Sequence, residues 1–168
     1  MLPPVLKDIR LYNEANNYQG LVKEMTIPKV VMLTEDWRSG GMLGPIPLKM
    51  GVEVPVFEWT IGGHDPAYVR QAGLIRHDGV LLRAMGAFQS ETDGSVTPVE
   101  AVMRGTHTEI DFGTWTPGKP SDEKVKTTCT YYKLLSNGAE LFEIDMLAGI
   151  FRVGGVDRWA AIRAALGG

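Results

Sequence analysis

Residues 127–144, TTCTYYKLLSNGAELFEI, decide the fold class of this chain, because they contain a complete β-hairpin. The strand-like runs 131–135 and 140–144 flank the dipeptide Asn137-Gly138, which supplies the positive φ that a type I′ turn requires. Cys129 lies between Thr128 and Thr130 and is the only cysteine. It is predicted to be a packed thiol rather than a nucleophile, since free cysteines are usually buried.

Further strands are expected on both sides of this hairpin. Phe57, Trp59 and Ile61 alternate with Glu58 and Thr60, which predicts a strand with one buried and one wet face. A second hairpin is expected after residues 81–89, where an Asp-Gly dipeptide occupies positions 93–94. A third is expected between the runs 9–13 and 18–25, which flank the polar residues 14–17.

Helices are expected to be few and short. Asp65 can cap an internal helix that begins at Pro66 and ends at Gly73. A C-terminal helix is predicted after Asp157, with Gly167 as its stop signal. Its apolar face comprises Trp159, Ile162 and Leu166. These elements together predict a mainly β protein, an antiparallel β-sandwich or barrel with a short internal helix and a C-terminal helix.

The connection over residues 26–51 is unusually long for a chain of this kind. Loops beyond roughly 12 to 15 residues without secondary structure of their own are usually functional or disordered. This one carries apolar residues among glycines and prolines: Met42, Leu43, Ile46, Leu48 and Met50. We therefore predict one domain over residues 1–168 with a projecting loop at about 34–51 that needs a partner to cover it.

The composition is that of an ordinary water-soluble domain. The 168 residues are 44% hydrophobic and carry a net charge of -3, which argues against static binding to nucleic acid phosphates. No apolar run is long enough for a membrane helix, so no membrane insertion is expected. The N-terminal sequence MLPPVLKDIR lacks the basic region and apolar core of a secretion signal, so synthesis in the cytoplasm is expected.

Residue patterns for catalysis or metal binding are weak. His64-Asp65 and His77-Asp78 repeat a His-Asp pair, but a metal site would need both pairs to converge in space. The simpler interpretation is a helix cap at Asp65 and a turn at Asp78-Gly79. Residues 111–120, DFGTWTPGKP, are interpreted as a loop with an aromatic anchor. No enzymatic activity and no cofactor are predicted.

Nine short segments resemble a known family in order and spacing. They are IPK at 27–29, EDWR at 35–38, GGM at 40–42, MGVE at 50–53, MRG at 103–105, DFGTW at 111–115, YYKL at 131–134, EID at 143–145 and GGVDR at 154–158. The chain is similar to the major tail tube proteins of contractile-tailed phages and of R-type phage-tail-like bacteriocins, essentially from end to end. Each segment is weak alone, and their joint occurrence is specific.

The resemblance implies a structural subunit that forms hexameric rings. The rings would stack into a hollow tube inside a contractile sheath, in a virion tail or a bacteriocin particle, and the tube would conduct DNA or ions. Expected partners are further copies of the chain, the sheath protein, baseplate and tail terminator proteins and a tape-measure protein in the lumen. DNA would pass transiently without specific binding.

The resemblance also implies where the interfaces lie. The projecting loop would contact a neighbouring subunit or ring, with these candidates: Trp37, Arg38, Gly40, Gly41, Met42, Ile46, Leu48 and Met50. The polar face of the strand at 57–61, with Glu58 and Thr60, is the candidate lining of the lumen. A mildly acidic protein suits a conduit that must not retain a polyanion.

Two other interpretations remain open at the level of the sequence. A monomeric small β-barrel could bind an apolar ligand in an interior cavity, with the long loop as a lid. A metalloenzyme could use the two His-Asp pairs. The barrel predicts a stable monomer, and the metalloenzyme predicts stoichiometric bound metal.

Overall fold

The computed structural model describes residues 1–14 and 16–168, which form antiparallel β-structure with two short helices. The first part of the chain contains the strands β1 (Val5–Asn13), β2 (Asn16–Asn17), β3 (Val22–Thr26), β4 (Met32–Trp37), β5 (Ile46–Val52) and β6 (Val56–Gly62). The second part contains helix α1 (Pro66–Val69), strands β7 (Val80–Gln89), β8 (Val96–Asp111), β9 (Asp122–Ser136), β10 (Ala139–Asp145), β11 (Ile150–Val153) and β12 (Val156–Asp157), and helix α2 (Ala160–Ala165). The predicted mainly β fold is confirmed.

The long strands β8 and β9 belong to two layers at once. One edge of β9 pairs with β8, while its other edge pairs first with β6 and then with β10. One layer therefore has the order β3-β6-β9-β8, and the other has the order β12-β11-β10-β9-β8-β7-β1-β2. Register shifts next to Gly105 and His107 bend β8 between the layers. Only glycine fits at position 105, because a Cβ atom there would overlap the Thr128 carbonyl.

The core between the layers is filled by aromatic and aliphatic side chains. Phe57, Trp59 and Ile61 are buried, as their alternation predicts. The Trp59 ring lies 5.7 Å from the ring of Tyr18 and 5.4 Å from that of Tyr68, measured between centroids. These large rings occupy the interior where the ligand-binding alternative would place a cavity.

The hairpin over residues 127–144 forms as predicted. Asn137 and Gly138 both have positive φ, at 50° and 79°, and Ser136 pairs with Ala139 across the turn. Cys129 is fully buried, as predicted. Burial raises the pKa of its thiol to about 12, so the sulfur stays protonated and unreactive.

The other two predicted hairpins differ in detail from the structure. Strands β7 and β8 form a hairpin, but residues 90–95 connect them, and Asp93 accepts a hydrogen bond from the Ser95 amide. The N-terminal hairpin is much shorter than predicted, because β1 pairs mainly with β7, and β3 pairs with β6. Asn16 and Asn17 return to pair with the end of β1, and the Tyr18 amide donates to the Leu11 carbonyl at 2.9 Å. Ala15, in the expected turn, lies outside the described residues.

The two helices are confirmed in position and are shorter than predicted. Asp65 Oδ1 accepts a hydrogen bond from the Ala67 amide at 3.0 Å, and α1 ends at Val69 rather than near Gly73. Asp157 does not cap α2. It lies in β12, where it accepts a hydrogen bond from the Trp159 amide and pairs with Arg163 at 2.8 Å, which lowers its pKa.

A buried polar network lies beneath α1. The Trp59 indole N–H donates to Thr127 Oγ1 at 3.3 Å, and the Thr127 hydroxyl donates to His107 Nδ1 at 2.9 Å. His107 Nε2–H then donates to Gln71 Oε1 at 3.1 Å, and Gln71 also bonds Asn13. The network links β1, β6, β8 and β9 to the turn after α1. Burial lowers the pKa of His107 to about 4, so the ring is neutral.

The sequence predicts a loop without secondary structure at about 34–51. In the structure this segment is most of a hairpin. Among the described strands, β4 and β5 pair only with each other, and they form a separate two-stranded sheet. The hairpin escapes detection by sequence because its strands mix apolar, charged and proline residues. The assignment of residues 1–168 to one domain stays a prediction. Within the described residues, no helix is long and apolar enough to span a membrane.

Candidate functional site

The two His-Asp pairs serve local structure. His64 Nδ1 lies 2.8 Å from Oε1 of the buried Glu123, and Asp65 caps α1. Asp78 bonds Arg76 in the turn before β7. Among the residues that the structure describes, no group of three or more potential metal ligands comes together. The features that suggest a function are surfaces.

The β4–β5 hairpin presents apolar side chains to solvent. Trp37 lies opposite Ile46, and Leu48 lies opposite Glu35. Trp37, Ile46 and Leu48 therefore form an apolar strip on one face of the hairpin. All three are exposed, although each is large and hydrophobic. Arg38, Gly40 and Gly41 lie in the connection at the tip and are exposed as well. The apolar strip has the character of an interface that one subunit leaves uncovered.

The two methionines predicted to lie at the interface differ in their surroundings. Met42 is half-buried, and its sulfur accepts hydrogen bonds from the amide and the hydroxyl of Ser39, at 3.3 and 3.2 Å. Met50 is exposed at the base of the hairpin. There it borders an open apolar hollow of about 260 Å³. Leu33, Val52, Ile144, Phe151 and Trp159 contribute to the lining of this hollow.

The layer β3-β6-β9-β8 has two free edges. β3 pairs only with β6 in the described part of the chain. At the far side, β7 pairs with β8 only as far as Gly105, so residues 106–111 have a strand partner on the β9 side alone among residues 1–14 and 16–168. An unpaired edge is a template for another strand. This layer can therefore accept a strand at each side.

The outer face of this four-strand layer is polar and mixed in charge. Pairing in register places five carboxylates on it or at its rim, those of Glu24, Glu58, Glu109, Asp111 and Asp122, together with the three lysines Lys23, Lys124 and Lys126. Five negative and three positive charges give this face a net charge of -2. Such a face is not a surface for holding a polyanion.

The two lumen candidates both lie on this outer face, but they differ in exposure. Glu58 is exposed and shares Lys126 with Glu109, at N–O distances of 3.6 and 3.5 Å. Thr60 is only 7% exposed, and its hydroxyl donates to Glu24 Oε1 at 3.3 Å. Glu58 is therefore the accessible member of the pair.

The loop over residues 112–121 connects β8 to β9 and exposes a tryptophan. Trp115 is 72% exposed, and its indole N–H donates to the carbonyl of Phe112 at 3.1 Å. The loop assignment is confirmed. Phe112 is the aromatic residue that contacts its own subunit, since its ring lies 6.5 Å from that of His64, whereas Trp115 projects from the loop.

A family model decides the identity of the chain. The model described as phage tail tube protein FII matches residues 3–167. The chain belongs to this tail tube family. The tail tube protein of Escherichia phage P2 is 34% identical over 169 residues, covering 99% of this chain and 98% of the relative. The major tail tube protein of Serratia phage KSP20 is 32% identical over 155 residues, covering 90% and 88%.

Solved structures share the fold of this tail tube protein at very low sequence identity. The cap that terminates the tube of the anti-feeding prophage matches with a TM-score of 0.58 and 10% identity, over 81% of this chain and 93% of the other. The sheath/tube terminator of an extracellular contractile injection system matches with a TM-score of 0.57 and 6% identity, over 80% and 98%. A sheath-tube complex of that system matches with a TM-score of 0.54 and 5% identity, over 76% and 88%.

The sequence predicts that the apolar residues of the β4–β5 hairpin are uncovered, but it does not predict the free edges of β3 and β8. The tail tube subunit is a structural component of the phage tail, as the resemblance implied. The free edges of β3 and β8 could not be read from local patterns, because they depend on which strands pair across the chain. Trp115 carried a detectable signal, an aromatic residue in a Gly- and Pro-rich loop, but it was interpreted as an internal anchor.

Proposed function

We propose that six copies of this subunit close into a ring through the edges of the layer β3-β6-β9-β8, and that rings stack into a hollow tube beneath a contractile sheath. The observation that carries the proposal is the pair of free edges on one layer. Family membership supports the tube, since the relatives are tail tube proteins.

Strand direction favours closure by rotation. Along the layer, β3, β6, β9 and β8 alternate in direction, because each neighbouring pair is antiparallel. Four strands per subunit is an even number, so β8 of one copy meets β3 of the next with opposite direction. The junction then continues the antiparallel pattern of the layer. Repetition around an axis removes every free edge.

Closure of this layer would turn its polar face toward the lumen. The opposite face carries Phe57, Trp59 and Ile61 and is covered by the core. Glu58 and Thr60 would then line the lumen, with Glu58 in contact with its contents. A net negative lining lets DNA or ions pass without the phosphate contacts that dominate affinity for nucleic acid.

The β4–β5 hairpin would reach a neighbouring subunit or ring. Burial of its apolar strip is worth about 25 cal/mol per Å², which provides a driving force for association. Trp37, Ile46, Leu48 and Met50 would supply most of the contact area. Arg38, Gly40, Gly41 and Met42 would shape the tip.

The proposed partners follow from the tube. Matching structures come from a sheath-tube complex, a baseplate and tube-terminating caps, which supports contacts with sheath, baseplate and terminator proteins. A tape-measure protein would occupy the lumen before DNA enters. The subunit would be made in the host cytoplasm, would not insert into a membrane and would have no enzymatic role. Such a tube would serve a virion tail or a bacteriocin particle.

Disulfide trapping tests the ring junction. The double variant Glu24→Cys with Glu109→Cys places one thiol on each free edge, and the buried Cys129 does not compete. Asp111→Cys in place of Glu109→Cys covers a shifted register. Oxidised rings should give a ladder that ends at six subunits on a denaturing gel, whereas either single variant lacks a partner thiol across the junction and should stay monomeric.

Light scattering and negative-stain microscopy of the wild-type protein complete the test. Rings or hollow tubes are expected. Rings in which neither cysteine pair crosslinks would contradict the edge junction. A strict monomer with a protease-resistant hairpin, at every concentration and with tail baseplates present, would contradict the tube itself.

A further inference from the structure

The exposed tryptophan in the β8–β9 loop is held in a fixed position. Gly113 N–H donates to Asp111 Oδ1 at 2.9 Å, and Lys119 N–H donates to the Thr116 carbonyl at 3.1 Å. At the far end of the loop, Gly63 N–H donates to the Ser121 carbonyl at 2.8 Å. The indole N–H of Trp115 is already satisfied by Phe112. The uncovered part of Trp115 is therefore apolar surface, presented at low conformational cost.

This loop and the projecting hairpin leave the four-strand layer at opposite ends. The loop follows Asp111, which pairs with Lys124, next to the end of β6 at Gly62. The hairpin arises at the other end, where Thr26 leaves β3 and Val56 enters β6. The seven residues of β6 separate the two ends by roughly 20 Å. Stacking copies along the strand direction would make these ends face each other.

An open hollow lies at the hairpin end of the layer. Its volume is about 260 Å³, and its apolar lining comes from Ile27, Val31, Val54 and Val56. Ile27, Val54 and Val56 are exposed large hydrophobic residues. Glu53, Glu58 and Lys29 stand at its margin, so the hollow is acidic by one charge. A tryptophan that carries a nearby cation would complement it.

We propose that Trp115 of each subunit seats in this hollow of a subunit in the adjacent ring, and that Lys119 pairs there with Glu53. The occupant is a second copy of the chain, and the inference rests on the proposed stacked tube. Lys119 is the only charged residue among residues 112–121, so the loop brings one positive charge to an acidic margin. The contact is heterologous, since loop and hollow are different surfaces, and it therefore repeats without limit along the axis.

Repetition around the ring makes a small contact decisive. A buried tryptophan removes about 150–250 Å² from water, which is less than one stable interface needs. Six such contacts between two rings reach the area of a standard interface. Loss of this residue should therefore affect stacking strongly and ring closure little.

The growth of tubes from the variants Trp115→Asp and Trp115→Phe tests whether Trp115 makes the stacking contact. Trp115→Asp should give rings of normal size and raise the critical concentration for tube growth at least about tenfold, the factor that corresponds to 1.4 kcal/mol. Trp115→Phe should retain tubes. Leu147→Asp, at a comparably exposed apolar residue in the β10–β11 turn, is the matched control and should also retain them.

A charge exchange identifies the partner surface. Lys119→Glu should shorten tubes, and Glu53→Lys in the same chain should restore their length. If Trp115→Asp forms the same tubes as the wild type, the stacking contact is refuted, but the proposed tube function is not. Loss of rings in Trp115→Asp would also overturn it, because the residue would then act within a ring. Wild-type protein that forms neither rings nor tubes would contradict the proposed function as well.

Discussion

At the scale of the residue, His107 shows how burial selects a protonation state. The ring accepts a hydrogen bond from Thr127 and donates one to Gln71, an arrangement that only the neutral imidazole can make. An imidazolium would donate from both nitrogens, and it would be desolvated. The buried position therefore holds the pKa at about 4, below the ordinary value of 6.5.

His107 should make the stability of the subunit depend on pH. Between about pH 4 and 6.5 the unfolded chain binds a proton that the folded chain does not, so the free energy of unfolding rises with pH. The contribution is complete above pH 6.5 and is lost as the pH falls toward 4. Its size is roughly 3 kcal/mol, at about 1.36 kcal/mol per pKa unit.

Denaturant unfolding at pH 7, 5.5 and 4 measures this dependence. His107→Gln removes the titrating group, so its curve against pH should be flatter than that of the wild type by this amount. His77→Gln is the control for an exposed histidine and should keep the slope due to His107. Equal slopes for wild type and His107→Gln would refute the role of this residue.

At the scale of the element, the β4–β5 hairpin is stabilised by its own strand pairing and leaves its apolar strip uncovered. The side chains on this strip have no partner within the described subunit that hides them from water. Met42 and Met50 lie in two different parts of the hairpin. Met42 folds onto the tip, and Met50 borders the apolar hollow at the base, which Phe151 and Trp159 also line.

Aspartate substitutions separate these two parts. Met50→Asp should abolish tube formation, because it introduces a charge into an apolar contact, at a cost of a few kcal/mol per subunit. Met42→Asp should weaken tube formation less, since Met42 is half-buried against Ser39. Sedimentation and electron microscopy measure both effects, and thermal unfolding of the monomer checks that neither variant is misfolded. Normal tubes from both variants would remove the hairpin from the interface.

At the scale of the whole molecule, the charge on the outer face of the four-strand layer would set how the tube treats DNA. Glu58→Lys changes the face from five carboxylates and three lysines to four of each, and so from -2 to neutral. Repeated in each subunit of a ring, the added lysines would contact phosphates.

Particles built from Glu58→Lys should therefore retain DNA and eject it more slowly. The effect should fade as the salt concentration rises, since phosphate contacts release counterions. Glu91→Lys, on the exposed β7–β8 connection, is the control and should eject DNA at the wild-type rate. Normal ejection by Glu58→Lys at low salt would exclude this residue from the lumen.

The sequence by itself determined the features that depend on neighbouring residues. Asn137-Gly138 specifies a tight turn through its backbone conformation, Asp65 and Pro66 begin a helix, and the alternation at 57–61 predicts which side chains are buried. The family segments determined the function, because their order along the chain is specific even where each is short. The apolar residues at 42–50 predict an interface whether or not the segment forms strands.

Only the tertiary structure decided which strands pair and therefore which edges stay free. β1 pairs along most of its length with β7, and β3 pairs with β6 across the intervening hairpin. Such pairings join residues far apart in sequence, so no local pattern encodes them. The same holds for Asp157, which binds Arg163 instead of capping α2, and for Trp115, whose exposure depends on what packs nearby. Burial and strand pairing are properties of the folded chain, and the proposed ring junction, lumen face and stacking contact all rest on them.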